Sequence, residues 1–147
     1  MTQAIATHPG LALGGLTDDG VVALSMILNL RPDLALLDVR LTGLDGFELS
    51  ERLMQHADPC SHTRVVLLSA VIDDSQIARA KSVGAWGCLS KAASRRAICE
   101  SLLAVAHCAP ARRTTPWPVE AERPPVRRTS ANSTFAGALS GANGRAA

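Results

Sequence analysis

The chain has 147 residues, room for one domain of ordinary size, and 47% of them are hydrophobic, which excludes a wholly disordered or collagen-like chain. Aromatics are only 3%, with no tyrosine, so a core has to come from Leu, Val, Ile and Ala. The net charge of +2 is unevenly spread: residues 1–108 hold 9 Lys+Arg against 11 Asp+Glu, and residues 109–147 hold 6 Arg against 2 Glu.

Cys60, Cys88, Cys99 and Cys108 show neither a CxxC pair nor metal-finger spacing, and a disulfide scaffold is not expected in a chain able to build its own core. Two of them sit in apolar runs and read as small buried thiols. Nothing at the N-terminus has a basic start followed by a sustained apolar run, and no apolar stretch is long enough to span a bilayer. A cytoplasmic protein is the expectation.

Residues 1–10 are mixed in character, end in Pro9-Gly10, and read as an unstructured lead-in. Leu11 to Leu16 is a brief apolar strand weakened by its glycines. Asp18 or Asp19 caps a helix over Val21–Leu30, where Val22, Met26 and Leu30 recur at a spacing of four and predict the inner face. Arg31-Pro32-Asp33 stops that helix. Leu34 to Leu37 then runs straight into Asp38, a short continuous apolar run of the kind buried on both faces of a parallel sheet.

A glycine-bearing loop, Leu41 to Gly46, leads to a helix from Phe47 that ends before Asp58-Pro59. Val65 to Leu68 is a second buried strand, ending at Ser69. Asp73 or Asp74 caps a helix to about Ser82, with Ile77 and Ala80 or Lys81 inward. Trp86 to Leu89 is a short strand ending at Ser90-Lys91. A last helix, Ser94 to Ala106, turns Ile98, Leu102 and Val105 inward.

Strand and helix alternate four times, which predicts an α/β domain over residues 11–108 with a parallel sheet and right-handed crossovers. Asp38, Ser69 and Lys91 fall at the C-terminal ends of three strands, the edge where open parallel sheets carry their chemistry. From 109 to 147 the pattern dissolves. Five prolines crowd 110–125, Arg112-Arg113 and Arg127-Arg128 are basic pairs, and most of the rest is small and polar. This composition predicts a disordered tail.

The run Arg31-Pro32-Asp33-Leu34-Ala35-Leu36-Leu37-Asp38-Val39-Arg40-Leu41-Thr42-Gly43-Leu44-Asp45-Gly46 resembles the acceptor-aspartate region of response-regulator receiver domains of two-component systems. The likeness is to the subgroup usually fused to a helix-turn-helix output domain. Val65 to Ala70 resembles that family's fourth strand with its switch hydroxyl. Gly84 to Lys91 resembles its fifth strand with its lysine.

The resemblance implies a flavodoxin-like fold and a set of roles. Asp38 would be the phosphoacceptor, attacking a phosphohistidine of a sensor histidine kinase. Lys91 would contact the phosphoryl oxygens, and Ser69 would be the switch hydroxyl. Mg²⁺ would take Asp38 and the backbone carbonyl of Arg40 as ligands. Asp45 and Gly46 would be loop formers. Each residue also has a plainer reading: Asp38 as a loop cap, Ser69 as a turn serine, Lys91 as a solvated surface lysine.

Several features depart from the family pattern. The match begins at what resembles the second strand, and the ten residues before it contain no acid. The first strand and first helix, and with them the acidic pair that holds the metal, are therefore expected to be missing. In the family's order, 2-1-3-4-5, the first strand is central. Its loss leaves three outcomes: the flanking strands pair directly, the domain is partly unfolded, or another chain completes it. Cys88 stands where a switch aromatic is usual, a degenerate position, and Thr42 stands where proline is usual. No helix-turn-helix follows the last helix.

The expected function is a non-enzymatic phosphoacceptor module of a two-component phosphorelay, N-terminally truncated, with a sensor kinase as partner and a homodimer or an intact response regulator as further candidates. The alternative is a phosphorylation-independent interaction module or a degenerate receiver remnant. DNA binding and membrane insertion are not expected.

Overall fold

The computed structural model of the chain describes residues 6–56, 63–107 and 133–138. In chain order the elements are β1 (Leu11–Thr17), α1 (Gly20–Leu30), β2 (Leu34–Asp38), α2 (Gly46–Gln55), β3 (Arg64–Ser69), α3 (Asp74–Ser82), β4 (Gly87–Ser90), α4 (Arg95–Ala106) and β5 (Ser133–Ala138). The five strands form one parallel sheet in the order β1-β5-β2-β3-β4.

The two buried runs behave as period-two strands with both faces covered. Ala35, Leu37, Val65, Leu67 and Cys88 point to one face, where Ala23 and Ile27 of α1, Phe47 and Leu49 of α2 and Ala80 of α3 pack on them. Leu34, Leu36, Val66, Leu68 and Leu89 point to the other face, against Ile98, Cys99, Leu102 and Val105 of α4. The inward set expected for α4 is therefore the observed one.

The face expected for α1 is not. Val22 is 47% exposed and Leu30 50%, whereas Gly20, Ala23 and Ile27 are buried. The sequence GVVALSMILNL carries no charge on any side, so apolar spacing alone cannot choose a face. Small residues decide it. A Cβ on Gly20 would lie 2.2 Å from the Leu44 carbonyl oxygen, so only glycine lets α1 approach that loop.

The sheet's middle position is also not filled as expected. The flanking strands β1 and β2 do not pair directly. Within the segment read as a tail, Ser133–Ala138 enters the sheet between β1 and β2. It pairs Ser133 with Leu11 through Ala138 with Thr17 on one side, with a register shift between Leu13 and Gly15. On the other side it pairs Phe135 with Leu34 through Ala138 with Leu37. Two unpaired strand edges are costly when buried, and one strand satisfies both. The remainder of that segment, 108–132 and 139–147, lies outside the described residues, as do 1–5 of the lead-in.

Candidate functional site

The loops after β2, β3 and β4 meet at the sheet's C-terminal edge, and their backbones stay tied beyond the strand ends. The Val39 N–H donates to the Leu68 carbonyl (2.9 Å), and the Lys91 N–H donates to the Ser69 carbonyl (2.8 Å). These bonds place Asp38 and Ser69 at the ends of β2 and β3 and Lys91 just past the end of β4.

Asp38 is 3% exposed, in an otherwise apolar run. Its Oδ1 accepts the Arg40 N–H at 2.8 Å. Its Oδ2 lies 2.5 Å from Nζ of Lys91, whose side chain is about one-third exposed. A buried carboxylate requires such compensation, because an unpaired ion in this setting is expensive. Two of the three residues expected at this edge, Asp38 and Lys91, are in direct contact.

Ser69 is buried, but its hydroxyl is turned onto its own loop. Oγ donates to the Val71 carbonyl at 2.7 Å and accepts from the Val71 N–H at 3.3 Å. Val71 was not singled out from the sequence. An ST-type turn two residues past the serine is the local signal that could have found it.

Asp45 is the N-cap of α2. It accepts the Glu48 N–H at 2.8 Å, while Glu48 Oε2 accepts the Asp45 N–H, a complete capping box. Its Oδ2 also meets Nη2 of Arg79 at 3.7 Å. Gly46 serves close approach: a Cβ there would lie 2.6 Å from the Asp38 carbonyl oxygen. Gly46→Ala must push the β2–α2 loop away from the acceptor. It is expected to cost about 1 kcal/mol, read as a lower urea midpoint.

Thr42 supplies a second tie that the sequence did not reveal. Its N–H and Oγ1 both donate to the Asp18 carbonyl, at 3.2 and 3.0 Å, and its own carbonyl accepts the Gly20 N–H at 2.8 Å. The loop after the acceptor is thereby clipped to the end of β1. Asp19 caps α1, accepting the Val21 and Val22 N–H groups on Oδ1.

Cys88 is 1% exposed within the core beneath α2 and α3, and burial pushes its thiol pKa up, as it does for Cys99. Both are expected to resist iodoacetamide in the folded chain at pH 8 and to react on unfolding, read by intact mass. Cys60 and Cys108 lie outside the described residues.

The Mg²⁺ implied by the resemblance meets a poor donor set. Among the described residues no group of three or more His, Cys, Asp and Glu is placed to hold a metal. Both oxygens of Asp38 are already engaged, one by a backbone N–H and one by an ammonium. Mg²⁺ needs a near-octahedral shell of oxygens. The described residues do not fit it.

The response regulator receiver domain family matches residues 1–103, reaching ten residues upstream of the stretch that carries the sequence resemblance. The "Probable transcriptional regulatory protein NarL" of Mycobacterium tuberculosis is 34% identical over 103 residues, which is 70% of this chain and 46% of that protein. The response regulator GacA of Pseudomonas viridiflava is 31% identical over 63% of this chain and 42% of its own. The chain thus spans about half the length of the curated relatives it matches.

The solved signal receiver domain of the Mycobacterium tuberculosis NarL superposes with a TM-score of 0.66 at 32% identity, covering 71% of this chain and 82% of that one. The response regulator domain of Thermotoga maritima CheB, at 23% identity and a TM-score of 0.59 over 71% of this chain and 80% of that one, shows the same fold. Among the described residues no helix is long and apolar enough to cross a membrane. With a flavodoxin-like parallel sheet, an aspartate and lysine paired at its C-terminal edge and the family match over most of its length, this chain belongs to the response regulator receiver domains.

Proposed function

We propose that the chain is a phosphoacceptor signalling module whose acceptor is Asp38. The observation that carries this reading is the contact between buried Asp38 and Lys91 at the end of β2. A carboxylate held there by a partly exposed cation is a nucleophile with its charge balance built in.

In the proposed step one Asp38 carboxylate oxygen attacks the phosphorus of a phosphohistidine on a sensor histidine kinase. The new O–P bond forms as the P–N bond breaks, and the imidazole leaves with that electron pair. Lys91, partly in solvent, follows the added negative charge onto the phosphoryl oxygens. Ser69 exchanges the Val71 carbonyl for a phosphoryl oxygen, releasing the β3–α3 loop. The phosphoryl group comes from the kinase, so the chain itself performs no turnover. A cytoplasmic setting, a sensor kinase partner and a readout through a second copy or an intact regulator accompany this proposal.

A second reading is favoured by one observation: Cys88, at the position that resembles the family's switch aromatic, is a buried cysteine. In it the domain binds a kinase or regulator without being phosphorylated. Intact-mass analysis after incubation with a small-molecule phosphodonor separates the two. One phosphoryl adduct on the native chain, formed with or without Mg²⁺ and absent from Asp38→Asn, supports the acceptor role. No adduct on a chain that circular dichroism shows to be folded overturns it in favour of phosphate-independent binding.

A further inference from the structure

The outermost strand on one side of the sheet is β1, and among the described residues its only ladder partner is β5. Edge strands of stable monomers are usually guarded by charge, by proline, by a bulge or by a covering element. Leu11–Thr17, with the sequence LALGGLT, carries neither charge nor proline. Its one irregularity, the register shift between Leu13 and Gly15, bends the strand without adding charge. The helix that follows is uncharged too, reading GVVALSMILNL.

The stripe Val22, Met26 and Leu30, which spacing alone would turn inward, lies beside this edge instead. A Cβ on Gly15 would collide with Met26 Cε and touch Leu30 Cδ1 at 3.5 Å, so these two side chains lie over β1. Val22 stands one turn before Met26 on the same line of the helix. Val22 and Leu30 are each about half exposed, as is Leu16 on the strand, and Met26 is half-buried. An apolar helix stripe beside an unguarded strand edge marks an interaction surface.

The charges at the two ends of α1 select the occupant. Asp18 and Asp19 precede its first turn and Arg31 follows its last, with nothing charged between. Asp19 is engaged as the cap. Asp18 and Arg31 are exposed, and among the described residues the side chain of neither is in an ion pair. A helix running the opposite way presents the complementary order. A second copy related by a two-fold axis therefore sets each Asp18 beside the other copy's Arg31. The same axis runs the two β1 edges antiparallel, so that they can share a ladder, and opposes the two helix dipoles. A two-fold contact requires one self-complementary patch, and this patch has that property. The half-exposed side chains and the seven-residue edge offer on the order of 500 Å² per copy, or about 1,000 Å² in the pair, the size at which specific interfaces begin.

We propose that the β1 edge and the Val22–Met26–Leu30 stripe form the interface of a two-fold dimer, in which the two sheets join and Asp18 of each copy pairs with Arg31 of the other. The dimer does not depend on phosphorylation of Asp38. Lys91 follows β4, at the opposite edge of the sheet, so this contact leaves that side of the acceptor pocket open.

The test is sedimentation velocity of full-length chains over a range of micromolar concentrations. The native chain is expected to be a dimer. Val22→Glu, at an exposed position, is expected to be monomeric with the native circular dichroism spectrum. Asp18→Arg and Arg31→Asp each set like charges together at both ends of the interface, and each alone is expected to weaken association at least about tenfold. Both substitutions are compatible with the fold. Thr42 bonds the backbone carbonyl of Asp18, and Arg31 has a φ of 46°, which aspartate tolerates. Mixed in equal amounts, the two variants are expected to form a heterodimer, since each supplies the charge that the other has lost. A native chain that stays monomeric at every concentration overturns the proposal. A dimer that survives Val22→Glu and both charge reversals overturns it as well, as do single reversals whose mixture fails to associate.

Discussion

Replacing Gly137 with proline will destabilise the chain by at least about 3 kcal/mol, the cost of a lost ladder hydrogen bond plus the ring's clash in a strand paired on both sides. Gly137 lies in register between Leu16 and Leu36. Proline removes the N–H that one neighbour accepts, and its ring cannot be accommodated in a central strand. The damage spreads because, among the described residues, β1 pairs with no other strand. Urea unfolding followed by circular dichroism checks this. A midpoint unchanged from the native chain would mean that β5 carries none of the sheet's stability. Gly137→Ala is the matched control and is expected to cost far less, since alanine keeps the N–H.

The ion pair at the acceptor should respond asymmetrically to loss of its partners. Lys91→Ala leaves the Asp38 carboxylate buried with only the Arg40 N–H on Oδ1 among its contacts described above. Breaking a fully buried pair costs about 3–5 kcal/mol, and the partial exposure of Lys91 reduces the expectation here to about 2 kcal/mol. Asp38→Asn instead leaves an ammonium on a long stem that reaches water, and the amide still accepts the Arg40 N–H. Its cost is expected to stay below about 1 kcal/mol. Urea midpoints of the two variants and their double measure the difference. Equal losses would mean that Asp38 is hydrated and that the contact contributes little.

Much of the site was legible because its residues close strands. Asp38, Ser69 and Lys91 each end a short apolar run, and parallel strands bring such ends to one edge whatever else the chain does. Capping at Asp19 was readable for a similar reason, since a cap is decided by neighbours three residues away, whereas Asp45 was read as a loop former and its capping box with Glu48 was missed. The face of α1 was not readable. Its residues are apolar all round, and the choice rests on how closely Gly20 meets Leu44, a contact from a distant loop. The clip between Thr42 and Asp18 is hidden likewise, being a backbone pairing across 24 positions.

β5 was missed for a deeper reason. Averaged over the interval 109–147, proline, arginine and small residues describe a chain that cannot bury itself. Ser133-Thr134-Phe135 has strand-like residues, but Ala136-Gly137-Ala138 gives no strong local preference. Its structure is imposed by the slot: two edges that need a partner recruit a segment with little preference of its own. The outcomes considered for an absent central strand did not include a later segment of the same chain taking its place.

Hydrogen exchange at the 133–138 amides tests this completed sheet most directly. If β5 stands between β1 and β2, peptides covering 133–138 are expected to remain protected on the timescale of those covering β2, residues 34–38, and to lose that protection in Gly137→Pro. Full exchange of 133–138 at the earliest time point, while 34–38 stay protected, would contradict the completed sheet and return the tail to an unstructured segment.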